Sequence, residues 1–378
     1  MRRVAPQANQ QGADDKSDVR LRRARALLIG WQERKLVLTN YQTRVSASTD
    51  PEAVRILHLF EDWGRPSDIV SLLPEYSPRS ILAGIRGLLD HTFLVRQGTK
   101  EADLDTDLDR VWSDWLPHGS FHFGTKDVHF LSRAQAARLF QKFLAESVQP
   151  PLVKTYGKAF HIKLTREQHV PGEFTRVLMA RRTHREFSEE HIPLSVISKL
   201  LYYTWGVTET IDARPFGQLF HKTSPSGGAR HPGEVYLLAM RIKGLSQGLY
   251  HYNGLEHCLE RIKSMQTVEK AVNYTAGQEY MRCASALFLM TAVFPRVMWK
   301  YRFSRAYRVV LLDAGHLCQT FCLVATWLGL APFCTAALKD SLIEKDLGLD
   351  GIRESVLYVA GVGTPAAGKV RSNRSASS

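Results

Sequence analysis

The chain has 378 residues, 44% hydrophobic and 23% charged, close to globular averages, so wholesale disorder is excluded. Lys and Arg number 50 against 37 Asp and Glu, and the formal net charge of +13 suits phosphate-bearing or acidic ligands without choosing among them. Five cysteines (Cys258, Cys283, Cys318, Cys322, Cys334) without a CxxC pair argue against a disulfide framework and a zinc ribbon.

Residues 1–48 are polar and basic, with Arg20, Arg22, Arg23 and Arg25 in one run. Within them, Met1 to Lys16 has no apolar stretch of the secretory type. They read as a solvated tail, and a reducing cytoplasm is the expected compartment. The pattern changes at residue 49. Asp50 can cap a helix with Pro51 at its first position, and Ala53, Ile56, Leu57 and Phe60 then share one helical face. A second short helix is expected over 67–73. A third starts at Ser77-Pro78, with Ile81, Ile85 and Leu88 on one side, and 91–96 reads as a strand. Residues 49–100 therefore resemble a winged helix-turn-helix. The third helix offers only Arg79 and Arg86 as base readers, so a docking or structural role is the better reading, and nucleic acid is not an expected partner.

Residues 101–172 read as a connecting region, first acidic and Trp-bearing, then carrying His118, His122 and His129. No carboxylate or cysteine stands at a ligand spacing from these, so they read as packed or exposed histidines. Residues 173–372 form a mixed α/β pattern, and 373–378 a short tail. Helices are expected over 174–180, from Pro193 to Gly206 and over 308–330. Strands are expected over 234–242, 285–294 and 355–361. Asn253-Gly254 predicts a type I′ hairpin. The apolar run 309–332 contains Asp313, His316 and Gln319, and reads as a buried helix rather than a membrane span. Cys318 and Cys322, one turn apart on it, read as core.

Four groups of residues could carry chemistry. Arg181, Arg182, Thr183 and Arg185 place forked cations and a hydroxyl beside a helix end, a combination that suits phosphate. Ser224, Ser226, Gly227 and Gly228 let backbone N–H groups approach a ligand closely. This segment is neither a Walker A loop nor GxGxxG. Lys300-Tyr301 offers a base and a proton relay, but neighbours on a regular helix diverge, so joint action requires irregular backbone, and from the residues alone a surface lysine beside a packing tyrosine is the better reading. The run 361–365, with two glycines, precedes Lys369 and Arg371, and again suits a phosphate. There is no GxSxG, HExxH or recognisable Cys/His pair.

In this order, RRTHREF (181–187), SPSGGARHPGEVY (224–236), GLYHYNGLEHCL (248–259), KYRFSRAYR (300–308), LLDAGHLCQ (311–319) and LYVAGVG (357–363) resemble the nitroreductase-like flavoproteins. More narrowly, they resemble the SagB-type dehydrogenases of thiazole/oxazole peptide maturation. The resemblance covers roughly residues 173–372, and longer members carry an N-terminal winged-helix-like module. It implies an FMN-binding α+β fold with a central antiparallel-rich sheet, working as a homodimer with the flavin at the interface. Arg181, Arg182, Thr183 and Arg185 would hold the phosphate and the pyrimidine edge of the FMN. Ser224, Ser226, Gly227 and Gly228 would line it. Ala336 or Ala337 would offer a backbone N–H to the flavin N5, and Lys369 and Arg371 would close on the phosphate. Lys300-Tyr301 matches the catalytic pair. Asp313 stands where Glu is common, which puts contacts through the longer arm in doubt. The implied activity is FMN-dependent oxidation of peptide thiazolines or oxazolines, with an azoline-containing precursor peptide and a cyclodehydratase as partners and no membrane. The same fold also allows an NAD(P)H-dependent nitro, quinone or ene reductase, and a peptide-binding scaffold is a third reading.

Overall fold

The computed structural model describes residues 19–148, 152, 172–214 and 217–366. The chain divides into two compact units, 1–125 and 126–378. The first corrects the reading of residues 1–48 as a tail. From residue 21 onward the chain forms β1 (Leu21–Arg23), β2 (Leu27–Gln32), β3 (Lys35–Asn40) and β4 (Val45–Thr49), with β2, β3 and β4 in an antiparallel meander. Glu33 and Arg34 close the β2–β3 hairpin at φ 46° and 68°, a tight turn without the glycine that would have announced it. Arg22, counted among the solvated arginines, is buried. It donates to Asp105 Oδ2 at 2.8 Å, and Asp105 also accepts from the Arg25 N–H at 2.8 Å. The partner that takes this charge out of solvent is 83 residues away in sequence, beyond the reach of local pattern.

The expected helices follow as α1 (Pro51–Leu59), α2 (Pro66–Ser71) and α3 (Pro78–Asp90), then β5 (Leu94–Arg96), which pairs with β1. Asp50 caps α1 by accepting from the Ala53 N–H at 2.9 Å, and Ser77 caps α3 through the Ser80 N–H at 3.1 Å. Their apolar faces form one core of Ile56, Leu57, Phe60, Ile81, Ile85 and Leu88. The connecting region also needs correction at its first end. Residues up to 125 belong to the first unit as α4 (Lys100–Trp112) and α5 (Leu116–Gly124). Trp112 and Trp115 are fully buried, and His122 stacks on Trp112 at 5.3 Å, so it packs as expected.

The second unit begins with α6 (Arg133–Glu146) and α7 (Glu173–Ala180), then β6 (Phe187–Ser188), β7 (Ile192–Pro193) and α8 (Leu194–Trp205). Next come β8 (Glu209–Asp212), β9 (Gln218–His221), β10 (Gly233–Ala239), β11 (Ile242–Lys243), β12 (Gly248–Asn253) and β13 (Cys258–Lys263). They are followed by α9 (Val268–Tyr274), β14 (Ala286–Val293), α10 (Phe294–Met298), α11 (Tyr307–Trp327), β15 (Ala331–Thr335), α12 (Asp340–Leu347) and β16 (Glu354–Pro365). The central sheet is antiparallel in the order β13-β12-β10-β14-β16-β15, with β6 on the last two residues of β16.

Both faces of the sheet are covered, so its central strands read as continuous apolar runs. On β14, Ala286, Phe288 and Met290 face α8 and α11, while Leu287 and Leu289 face α9 and α12. Each fully buried large side chain in these layers contributes roughly 1.5–3 kcal/mol. α11 is long and apolar enough to cross a bilayer, yet it lies across the sheet with Val310, Phe321 and Ala325 buried.

Two local readings are corrected. Asn253 pairs with Cys258, so the hairpin closes through four residues rather than a two-residue type I′ turn. The Asn253 side chain accepts from the Leu255 and Glu256 N–H groups at 3.1 and 3.0 Å, and this side-chain turn displaces the backbone one. Gly361 and Gly363 lie inside β16, not in a phosphate loop. A methyl group on either would collide with the ring of Phe333 or Phe187, so they serve close ring packing.

Candidate active site

The segment between β9 and β10 carries SPSGGARHP, and α11 anchors it. Ser224 and Thr320 share a hydrogen bond of 2.7 Å. Ser226 donates to Asp313 Oδ2 at 2.5 Å and accepts from the His231 N–H at 2.9 Å, while the Gly227 N–H donates to Asp313 Oδ1 at 3.4 Å. The shorter Asp313 arm therefore reaches the loop from a buried position, and burial raises its carboxyl pKa. Gly227 lies against Val309, where a methyl group would collide with the isopropyl side chain. Gly228 holds φ at +64°, and a methyl group there would lie 2.8 Å from Lys300 Nζ and strike the Tyr301 hydroxyl. The fit requires glycine twice: once for the left-handed backbone and once for space.

Lys300 and Tyr301 follow α10. Their N–H groups both donate to the Val297 carbonyl, at 3.1 and 2.9 Å, so the backbone leaves helical geometry at this pair. That is the irregularity the two adjacent residues needed in order to face one point. Lys300 Nζ lies 3.5 Å from the Gly228 carbonyl oxygen and 5.5 Å from the Tyr301 ring centre. The lysine is exposed and the tyrosine half-buried. Arg302 and Arg305, expected to crowd the pair, are also exposed.

The arginine run is held elsewhere on the unit. Arg181 ends α7, and the His184 N–H donates to the Pro332 carbonyl at 2.9 Å, tying the run to β15. Arg182 donates to the Met179 and Arg181 carbonyls, Arg185 lies 5.8 Å over the Tyr280 ring, and Thr183 is exposed. Of the two alanines, Ala337 gives its N–H to Thr335 Oγ1 at 3.1 Å, while Ala336 is exposed at the same end of the sheet. Lys369 and Arg371 lie outside the described residues. The fold thus joins Ser226, Gly227 and Gly228 to Lys300 and Tyr301 at the first half of α11. The arginines and Ala336 gather around β15 instead.

A cavity of about 460 Å³ opens beside the loop, lined by Lys222, Arg230, His231, Glu234, His251 and Trp299 among others. Sequence reasoning missed these groups. A glutamate in the otherwise apolar run of β10 was the available signal. Burial lowers the pKa of Lys222. Burial pushes Glu234 up, but hydrogen bonds from His251 and Arg296 outweigh it and hold the carboxyl below its usual range. Arg230 stacks over Trp299 at 5.2 Å, next in sequence to Lys300.

His251 bridges Glu234 at 3.1 Å and Glu260 at 2.7 Å, chiefly the Glu234 bond raising its pKa. A raised histidine stabilises the fold fully below its ordinary pKa of about 6.5, and the contribution is lost as pH rises through the folded value. The Tm gap between wild type and His251→Gln is therefore expected to be a few degrees wider near about pH 6 than near about pH 9. Thermal denaturation across that range checks it, and a constant gap contradicts it.

This antiparallel sheet, its crossing helix and its glycine loop define a nitroreductase-type fold, and the chain belongs to the nitroreductase family, whose profile matches residues 178–364. It is 30% identical over 187 residues to the nitroreductase-type protein MJ1384 of Methanocaldococcus jannaschii, covering 50% of this chain and 88% of that one. A longer match, 27% identical over 310 residues, joins it to the trifolitoxin-processing protein TfxB of Rhizobium leguminosarum bv. trifolii, covering 77% of this chain and 81% of that protein. Among solved structures, a chain of the Escherichia coli microcin synthetase McbBCD complex with truncated pro-MccB17 bound superposes with a TM-score of 0.50 at 21% identity. It covers 71% of this chain and 99% of that one, and shares the fold.

Proposed function

We propose that this protein is an FMN-dependent dehydrogenase that oxidises thiazoline or oxazoline rings in a precursor peptide. The observation that carries the proposal is the convergence of Lys300 Nζ and the Tyr301 hydroxyl on the left-handed backbone of Gly228. The length of the TfxB match adds support, because it extends well beyond residues 178–364.

The residues fit a phosphorylated flavin. Arg181, Arg182 and Arg185 offer forked cations for a phosphate, and Gly227 and Gly228, which have no side chains, let the loop backbone pack directly against Val309, Lys300 and Tyr301. When bound, FMN supplies a two-electron acceptor for hydride from the ring carbon next to the α-carbon. The chain's own work is positioning and proton transfer. Either Lys300 or Tyr301 takes the α-carbon proton, and the other orients it or stabilises developing charge. Loss of the proton and the hydride leaves the aromatic azole. Asp313 fixes the loop through the Ser226 hydroxyl and the Gly227 N–H.

The arginine run and the Lys-Tyr pair sit on different stretches of the unit, and this supports a site completed across a homodimer. Phe174, Leu178 and Met179 of α7 and Leu311 and Leu312 of α11 expose the apolar surface such a pairing would cover. Azolines arise by cyclodehydration of Cys, Ser or Thr, so a cyclodehydratase is the partner that must supply the substrate. The expected compartment is the cytoplasm.

The test is a purified protein that shows flavin absorbance and, given an azoline peptide, removes two hydrogen masses from it. A flavin-bearing protein that leaves the azoline intact but is bleached rapidly by NADPH contradicts the proposal. Asp313→Ala is expected to weaken FMN binding about tenfold or more, because Ser226 and Gly227 lose a charged acceptor. Flavin fluorescence titration reads this, and unchanged affinity removes the loop from the binding site.

A further inference from the structure

Three thiols converge in the second unit. Cys318 and Cys322 stand one turn apart on α11, and Cys334 reaches them from β15; all three Sγ atoms lie within 4.8 Å of one another. Among the described residues no imidazole or carboxylate joins this group. His316 is exposed on another side of α11. Cys318 and Cys322 are buried and Cys334 is half-buried, packed among Leu317, Phe321, Val324, Leu330 and Tyr358. The function proposed above does not use these thiols.

We infer that Cys318, Cys322 and Cys334 form a three-thiolate site for one soft monovalent cation, Cu(I). Metal–thiolate bonds of about 2.3 Å in a trigonal plane set the sulfurs about 4 Å apart, so small side-chain rotations close the site. Thiolates select Cu(I) and zinc over harder ions. A structural zinc takes four ligands, and the polar group hydrogen-bonded to Cys334 is the hard oxygen of Tyr358, whereas a three-coordinate ion is satisfied by the sulfurs alone. The Arg181 guanidinium, at the end of α7, supplies positive charge beside Cys322 and Cys334. Binding deprotonates the thiols, so each ion displaces three protons to solvent and no electron moves. A filled site clamps α11 to β15 two residues before Ala336.

The experiment uses the full chain under anaerobic conditions, titrated with Cu(I) buffered by bathocuproine disulfonate. One equivalent per chain is expected, with X-ray absorption showing three sulfur neighbours and no oxygen. Cys334→Ser and Cys322→Ser are expected to lower affinity by more than the roughly hundredfold that loss of an outer-shell partner costs, while Cys258→Ser, an exposed thiol elsewhere, binds as wild type. Absence of tight binding in the wild type, a four-ligand set that includes oxygen, or a disulfide among the three in the isolated protein would each overturn the assignment. The absorption measurement is made on wild type, so the inference stays testable should a serine variant fail to fold. It does not depend on the flavin reading, since metal stoichiometry and sulfur neighbours are measured on the protein whether or not FMN is bound.

Discussion

Lys300→Ala and Tyr301→Phe are each expected to lower azoline oxidation by roughly 10²–10⁴-fold, the range lost when a positioned proton-transfer group is removed. Flavin content should stay near the wild-type level, because the Ser226–Gly227 segment is held by its Asp313 bonds and Lys300 adds only a long 3.5 Å contact to the Gly228 carbonyl. The loss should fall on kcat rather than KM, since the interaction is made to a moving proton. The double variant should be little worse than the poorer single one, as groups acting on one proton are not additive. Rapid-quench mass analysis of the peptide, beside the visible spectrum of each variant, reads both quantities. Full turnover in both single variants with FMN bound removes the pair from the chemistry. Loss of flavin together with loss of turnover makes them cofactor ligands instead.

Lys126→Met is expected to destabilise the second unit by about 3–5 kcal/mol, the penalty for leaving a buried charge without its partner. Lys126 Nζ lies 2.7 Å from both oxygens of Glu344, and both side chains are more than nine-tenths buried. Glu344 also accepts from Ser355 Oγ at 2.5 Å, linking α12 to the first residues of β16. Burial already raises the Glu344 pKa with Lys126 in place. A carboxyl raised in the folded state binds its proton more tightly there than in the unfolded chain, so the variant's penalty shrinks as pH falls. Urea denaturation at neutral and mildly acidic pH should show this convergence. Adding Glu344→Gln should recover most of the loss at neutral pH. A variant as stable as wild type at neutral pH sinks the argument.

Much of the second unit was legible because its signals are local. The buried strands β10, β14 and β16 are predominantly apolar runs bounded by turn residues, and such runs declare themselves without long-range information. The helix caps at Asp50 and Ser77 formed as their side-chain chemistry dictates. Arg22 shows the opposite case. Its exposure was inferred from its arginine neighbours, while its actual partner, Asp105, belongs to what read as an acidic connector. Hairpin residues Glu33 and Arg34 adopt left-handed backbone without glycine, so β2 and β3 carried no turn mark.

The sequence by itself determined the mixture of helices and buried strands and the residue types able to hold a phosphorylated ligand, because apolar period and capping are properties of neighbouring residues, while the antiparallel-rich α+β class followed from the family resemblance that the order of motifs carries. Tertiary structure alone decided which groups meet. Lys300 and Tyr301 reach one glycine because α10 ends irregularly, and Cys334 joins Cys318 and Cys322 because β15 passes beside α11. The cavity around Lys222 and Glu234 exists because β10 and β12 set Glu234 and His251 against the segment that carries Lys222 and the glycine loop. These encounters depend on chain crossings tens of residues apart, and distance of that kind leaves no trace in local pattern.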